Sequence, residues 1–136
     1  MNITNNFDIA SSGLTAQSER LKVIAQNIAN ADSVASTAGG KPYQRKTISF
    51  KNVLDKKLGV EKVQIDKVGN DKAEFGRKFE PNNPAADADG YILTPNVNTM
   101  IEMTDMREAR NSYQANLSVI EVTKAMISRT LDLLRI

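Results

Sequence analysis

The stretch RLKVIAQNIANAD, residues 20–32, alternates apolar and amide side chains over consecutive helical turns. Leu21, Ile24 and Ile28 are spaced along one face, with Gln26, Asn27 and Asn30 crowded beside it. Asparagine is a mediocre helix former because its amide competes for nearby backbone groups, so these residues need a reason to be there. One reading is a polar helix end, with Asn30 suited to a left-handed C-terminal cap. The other is that the amides hydrogen-bond across to neighbouring helices and fix register, as a buried Asn does in a coiled coil. Asn111, Gln114 and Asn116 would then be matching partners farther along the chain.

The apolar rhythm extends in both directions from this stretch. Ile3, Phe7, Ala10, Leu14, Gln17, Leu21, Ile24 and Ile28 recur at alternating steps of four and three, the a/d pattern of a helical seam. Gly13 weakens the first turns by about 1 kcal/mol relative to Ala. Tyr113, Leu117, Ile120, Lys124, Ile127, Leu131 and Leu134 keep the same rhythm at the other end, widened by Val119, Val122 and Met126. No Gly or Pro interrupts residues 97–136. The middle has a different texture, with every Pro and every Gly except Gly13 within residues 38–95. Short β-type runs lie at 47–50, 60–68 and 91–94, and EPNNPAADADG at 80–90 reads as loop.

The expected fold is mainly α: N- and C-terminal helices forming a coiled-coil-like pair, with a small β- and loop-rich middle segment. The divisions fall at residues 1–34, 35–95 and 96–136. A lone amphipathic helix cannot bury its stripe, and each large side chain left in water forgoes about 1.5–3 kcal/mol. The two seams therefore need each other or another chain. Even when they are closed, Ala25, Ala29, Ala31, Val119, Val122 and Met126 leave small and apolar outer faces for neighbours.

Composition closes many functional classes. The 136 residues contain no Cys and no His, which removes thiolate chemistry, the commonest general base and the commonest transition-metal ligand. Aromatics make up 5% and Trp is absent, leaving little to stack on bases. Eighteen Lys and Arg against sixteen Asp and Glu give a formal charge of +2, too balanced for a nucleic-acid binder. No basic n-region with an apolar h-region opens the chain, so no cleaved secretory signal is expected, and no run approaches the ~20 apolar residues of a membrane span.

Three clusters come nearest to a chemical site. Asp87, Asp89 and Gly90 resemble the start of a calcium loop, but Gly90 falls fourth where the sixth place needs it, and Asn98 stands at the twelfth. An Asx turn is expected instead. KPYQRK at 41–46 and Lys56-Lys57 are basic but interspersed with carboxylates, which favours a solvated face over an anion site. Glu102, Asp105, Arg107, Glu108 and Arg110 are spaced for pairs within one helix. Nothing here supports catalysis, a metal or a cofactor, and a non-enzymatic protein is expected.

The ends also carry a family resemblance. SGL at 12–14, Gln17, Arg20, Leu21, Ile24, Ala25 and NIANA at 27–31 resemble the N-terminal motif of the bacterial flagellar rod and hook proteins. PNVN at 95–98, Glu102, Met103, Arg110, YQAN at 113–116 and the closing residues 131–136 resemble their C-terminal motif. PAADADGY at 84–91 is similar to the loop preceding that motif in proximal-rod members, although Asn82-Asn83 and Ala86 depart from it. The resemblance implies helical terminal domains packed around a channel and a structural rod subunit passing torque from membrane ring to hook. It also implies location in the basal body and export through the flagellar type III apparatus without a cleaved signal. The implied partners are other rod proteins, the rod adaptor protein, membrane-ring proteins and the export apparatus, with no nucleic acid and no membrane insertion. The candidate assembly residues are Leu14, Leu21, Ile24, Asn27, Ile28, Asn30, Tyr113, Asn116, Leu117, Ile120, Ile127, Leu131 and Leu134. The alternatives are a helical adaptor or export cofactor acting as a discrete small oligomer and, more remotely, an anionic-ligand binder using residues 41–46.

Overall fold

The computed structural model describes residues 3–135, with Ile3 and Thr4 described by their backbone alone. The Ile3 side chain and Ile136, both part of the expected motifs, lie outside the described residues. Six elements follow in order: α1 (Ile3–Ala29), β1 (Lys46–Asp55), β2 (Val60–Asn70), β3 (Gly76–Phe79), β4 (Tyr91–Thr94) and α2 (Thr99–Leu133). Helix makes up 46% of the chain and strand 22%, so "mainly α" is too strong for two helices flanking a β-rich middle. The expected strand at 47–50 extends to ten residues, and β3 has no counterpart among the sequence expectations.

Contacts divide the chain into two compact units. One comprises Met1–Leu21, Ser49–Lys67 and Arg107–Ile136, and the other Lys22–Ile48 and Val68–Met106. Within the first, Gly13 lies against Asn116, and the Arg20 guanidinium donates to Glu108 at 3.4 Å. Chain number rises along α1 as it falls along α2 at these two points, so the helices run antiparallel there. A Cβ at Gly13 would sit 2.8 Å from the Asn116 amide nitrogen. The glycine that costs α1 its propensity thus lets α2 approach.

Burial follows the expected seam only in part. On α1 the seam positions Ala10 and Ile24 are buried together with Ala16, Val23 and Asn27, each one residue before a seam position, and on α2 the buried positions are Glu102, Ala109 and Thr123. Leu14, Leu21, Ile28, Leu117 and Ile120 are only half-buried, and Phe7 is exposed. Small and polar side chains thus share the buried face with Val23 and Ile24, while the other large seam aliphatics stay partly in solvent.

β1 and β2 form a two-stranded ribbon. Their four-residue connection is far too short for the crossover parallel strands need, so they run antiparallel. Asp55 fixes the turn: its Oδ1 accepts from the Lys57 and Leu58 amides at 3.0 and 3.4 Å, while Gly59 takes a left-handed φ of 65°. β3 and β4 pair antiparallel from Gly76↔Thr94 to Phe79↔Tyr91. The loop between them contains the expected Asx turn, with Asp87 Oδ1 accepting from the Asp89 and Tyr91 amides at 3.0 and 2.8 Å. The Tyr91 amide, then that of Asp89 and the Arg77 guanidinium, hold the Asp87 carboxyl below the usual carboxylate range.

Gly90 closes this loop with φ at 82°, and a Cβ there would meet the Phe79 ring at 2.9 Å. Gly90→Ala is therefore expected to cost about 1–2 kcal/mol from backbone conformation alone, before the clash is counted. Hydrogen exchange should show lost protection at the Glu80 amide, which donates to Gly90 O. Unchanged protection there would refute the assignment.

Candidate assembly surface and the polar joint of the second unit

α2 starts where Asn98 caps it. The Asn98 side-chain oxygen accepts from the Met100 and Ile101 amides at 3.0 and 3.3 Å, satisfying donors that the first helical turn leaves unpaired. One turn later Glu102 enters the interior of the second unit at 1% exposure. Asn27, from the last turn of α1, is equally buried and donates to Glu102 Oε2 at 3.1 Å.

All four hydrogen-bonding positions of the Asn27 amide are used. Its nitrogen also donates to Lys46 O at 2.9 Å, while its oxygen accepts from Lys46 N at 2.8 Å and from the Tyr43 hydroxyl at 2.9 Å. By bonding both backbone groups of Lys46, the amide occupies the place a partner strand would take at the start of β1. Burial pushes the Tyr43 phenol up, the Glu102 carboxylate adds to this, and the hydroxyl stays a neutral donor.

Arg45 completes the joint. Its Nε donates to Glu102 Oε1 at 2.6 Å, and its terminal nitrogens reach Asp71 at 3.3 Å and Asp105 at 3.9 Å. Burial works against the guanidinium charge, but the hydrogen bond and charge of Glu102, reinforced by Asp71, raise its pKa overall. Asn96 holds the neighbouring backbone: its oxygen accepts from Arg45 N at 2.8 Å, and its nitrogen donates to Asp71 O and Ala73 O at 3.3 and 3.1 Å. Both asparagines of PNVN thus have local structural work.

These contacts correct two sequence expectations. Residues 41–46 are not simply a solvated basic face, because Arg45 is drawn into the joint. Glu102 and Asp105 turn to Arg45, and Glu108 to Arg20 on α1, instead of pairing along α2. A buried carboxylate needs a full charge partner, which an exposed helical neighbour cannot supply as well. Asn30 differs as well. Its nitrogen donates to Gln26 O at 2.8 Å and its oxygen accepts from Ser33, but no described non-glycine residue has positive φ, so it is not a left-handed cap.

The candidate assembly residues fall into three groups. Ile24 and Asn27 are buried. Leu14, Leu21, Ile28, Asn30, Tyr113, Asn116, Leu117 and Ile120 are half-buried. Ile127, Leu131 and Leu134 are exposed, the last two at 57% and 76%, and Val119, Val122, Met126 and Leu133 are exposed with them. Among the described residues no acidic cluster is placed to hold a metal, and no helix is long and apolar enough to cross a membrane.

Flagellar rod sequence accounts for both ends of this architecture. Residues 7–35 match the family described as "Flagella basal body rod protein", and residues 88–133 match "Flagellar basal body rod FlgEFG protein C-terminal". The chain is 50% identical over 127 residues to the flagellar basal-body rod protein FlgC of Agrobacterium fabrum, covering 93% of this chain and 91% of that protein. It is 42% identical over 133 residues to the FlgC proteins of Yersinia enterocolitica and Salmonella typhimurium, covering 98% of each chain. The chain belongs to the FlgC family of flagellar basal-body rod proteins.

Proposed function

We propose that this chain is a structural, non-enzymatic subunit of the proximal rod that passes torque from the membrane ring to the hook. In this reading residues 1–34 and 96–136 are the rod core, completed as a coiled-coil-like pair, and residues 35–95 are its lateral extension. The observation that carries the reading is the row of large aliphatics from Val119 to Leu134, on the last turns of α2 and just past its end, left in solvent by the isolated chain. An exposed apolar stripe of this length calls for a protein neighbour. Leu14, Leu21, Ile28, Tyr113, Asn116, Leu117 and Ile120 extend the surface at the flank of the helices. Ile24, Asn27 and Asn30 belong to the second unit.

The neighbours in this reading are other rod proteins, the rod adaptor and the membrane ring, reached through the flagellar type III apparatus without a cleaved signal. Size measurement tests the proposal against the adaptor alternative. The purified chain is expected to sediment as a monomer and to enter large particles only when the other rod proteins are added. A stable, discrete oligomer of the chain alone would overturn the rod reading.

A further inference from the structure

The tip of the β1–β2 ribbon carries charge that the joint and the helix seam leave unexplained. Residues 49–67 hold five lysines against three carboxylates, a surplus equal to the whole chain's formal charge of +2. Two of those carboxylates are already engaged: Asp66 pairs with Lys51 at 3.3 Å and Asp55 with Lys62 at 3.0 Å. Lys56 and Lys57, in the turn itself, are exposed and form no ion pair among the described residues. Leu54 and Leu58 flank them, exposed at 56% and 37%. The turn is also preorganised, since Asp55 binds two of its amides and Gly59 has the φ that closes it.

We infer that this tip is a docking element whose partner is an acidic protein face with carboxylates around an apolar recess. The two ammonium groups supply the charged rim of such a contact, and the leucines supply its anchors. A fixed turn holds both in one geometry, which reduces the ordering cost of binding. An anionic membrane is the weaker match, because two lysines and two small anchors give little hold on lipid.

The test uses flagellated cells whose only copy of the full chain is a variant. Lys56→Glu with Lys57→Glu is expected to reduce the swimming halo at least tenfold, while Lys56→Arg with Lys57→Arg swims normally. Second-site suppressors of the Glu pair should replace an acidic residue by Lys or Arg in another flagellar protein. Purified Glu-pair chain should keep the wild-type circular dichroism, so a fold defect would be visible. Normal swimming by the Glu pair would overturn the inference, as would flotation of the wild-type chain with phosphatidylglycerol–phosphatidylethanolamine vesicles. Neither result touches the rod assignment, whose failure would instead appear as basal bodies that lack the chain.

Discussion

Arg45→Met is expected to destabilise the second unit by about 3–5 kcal/mol, the usual cost of leaving one member of a buried ion pair alone. Glu102 is 1% exposed, and without the guanidinium its carboxylate would keep the Asn27 amide as a donor but lose its counter-charge. Adding Glu102→Gln should recover more than half of the loss, because a neutral amide can still accept from Asn27. Urea midpoints of the two variants measure this, with hydrogen exchange over residues 22–48 as the local readout. Equal midpoints for wild type and Arg45→Met would show that the pair contributes nothing to the fold.

A second large effect is expected where the fold is not involved. Leu131→Asp with Leu134→Asp places two carboxylates at the C-terminal end of α2 and just past it, where the isolated chain leaves both leucines exposed. Monomer stability should therefore change by less than about 0.5 kcal/mol, as for ordinary surface substitutions. In an assembled rod the same carboxylates would be buried without partners at several kcal/mol each, and the helix C-terminus adds an unfavourable dipole. Cells carrying this variant should secrete it, build no rod beyond the membrane ring and fail to swim. Complete basal bodies containing it would remove the basis for calling the stripe an assembly surface.

The parts of this molecule differ in how far they could be read from sequence, and the reason is distance along the chain. The helices announce themselves through local periodicity: the rhythm over residues 14–30 and 113–134 places α1 and most of α2. The side each helix buries does not, because hydrophobicity points at the leucines while Ala16 and Ala109 are buried and Gly13 lies against Asn116. β1 was legible only at 47–50, since Lys51, Asn52 and Asp55 are poor strand formers held in place by pairing with β2. β3, with its glycine and two basic residues, gave no strand signal. The joint was hardest of all. Asn27, Arg45 and Glu102 lie 18 and 57 residues apart, and no pattern short of the fold brings them together. Three amides beside a seam were a fair warning of polar bonding, but they did not reveal that Asn27 would spend all of it within its own chain.

The joint gives the second unit a mechanical character that an oily core would not. Apolar contact is non-directional, so leucines under shear can slide past one another at little cost. Hydrogen bonds weaken steeply once their angle departs from linearity, and here Asn27, Arg45, Asn96 and Glu102 are each held by at least two partners. A small twist between the end of α1 and the start of α2 would strain the bonds of Asn27, Arg45 and Asn96 together. The second unit should thus behave as a stiff elastic element that returns rotation instead of dissipating it, whereas any slippage under load would be confined to the greasy stripe on α2.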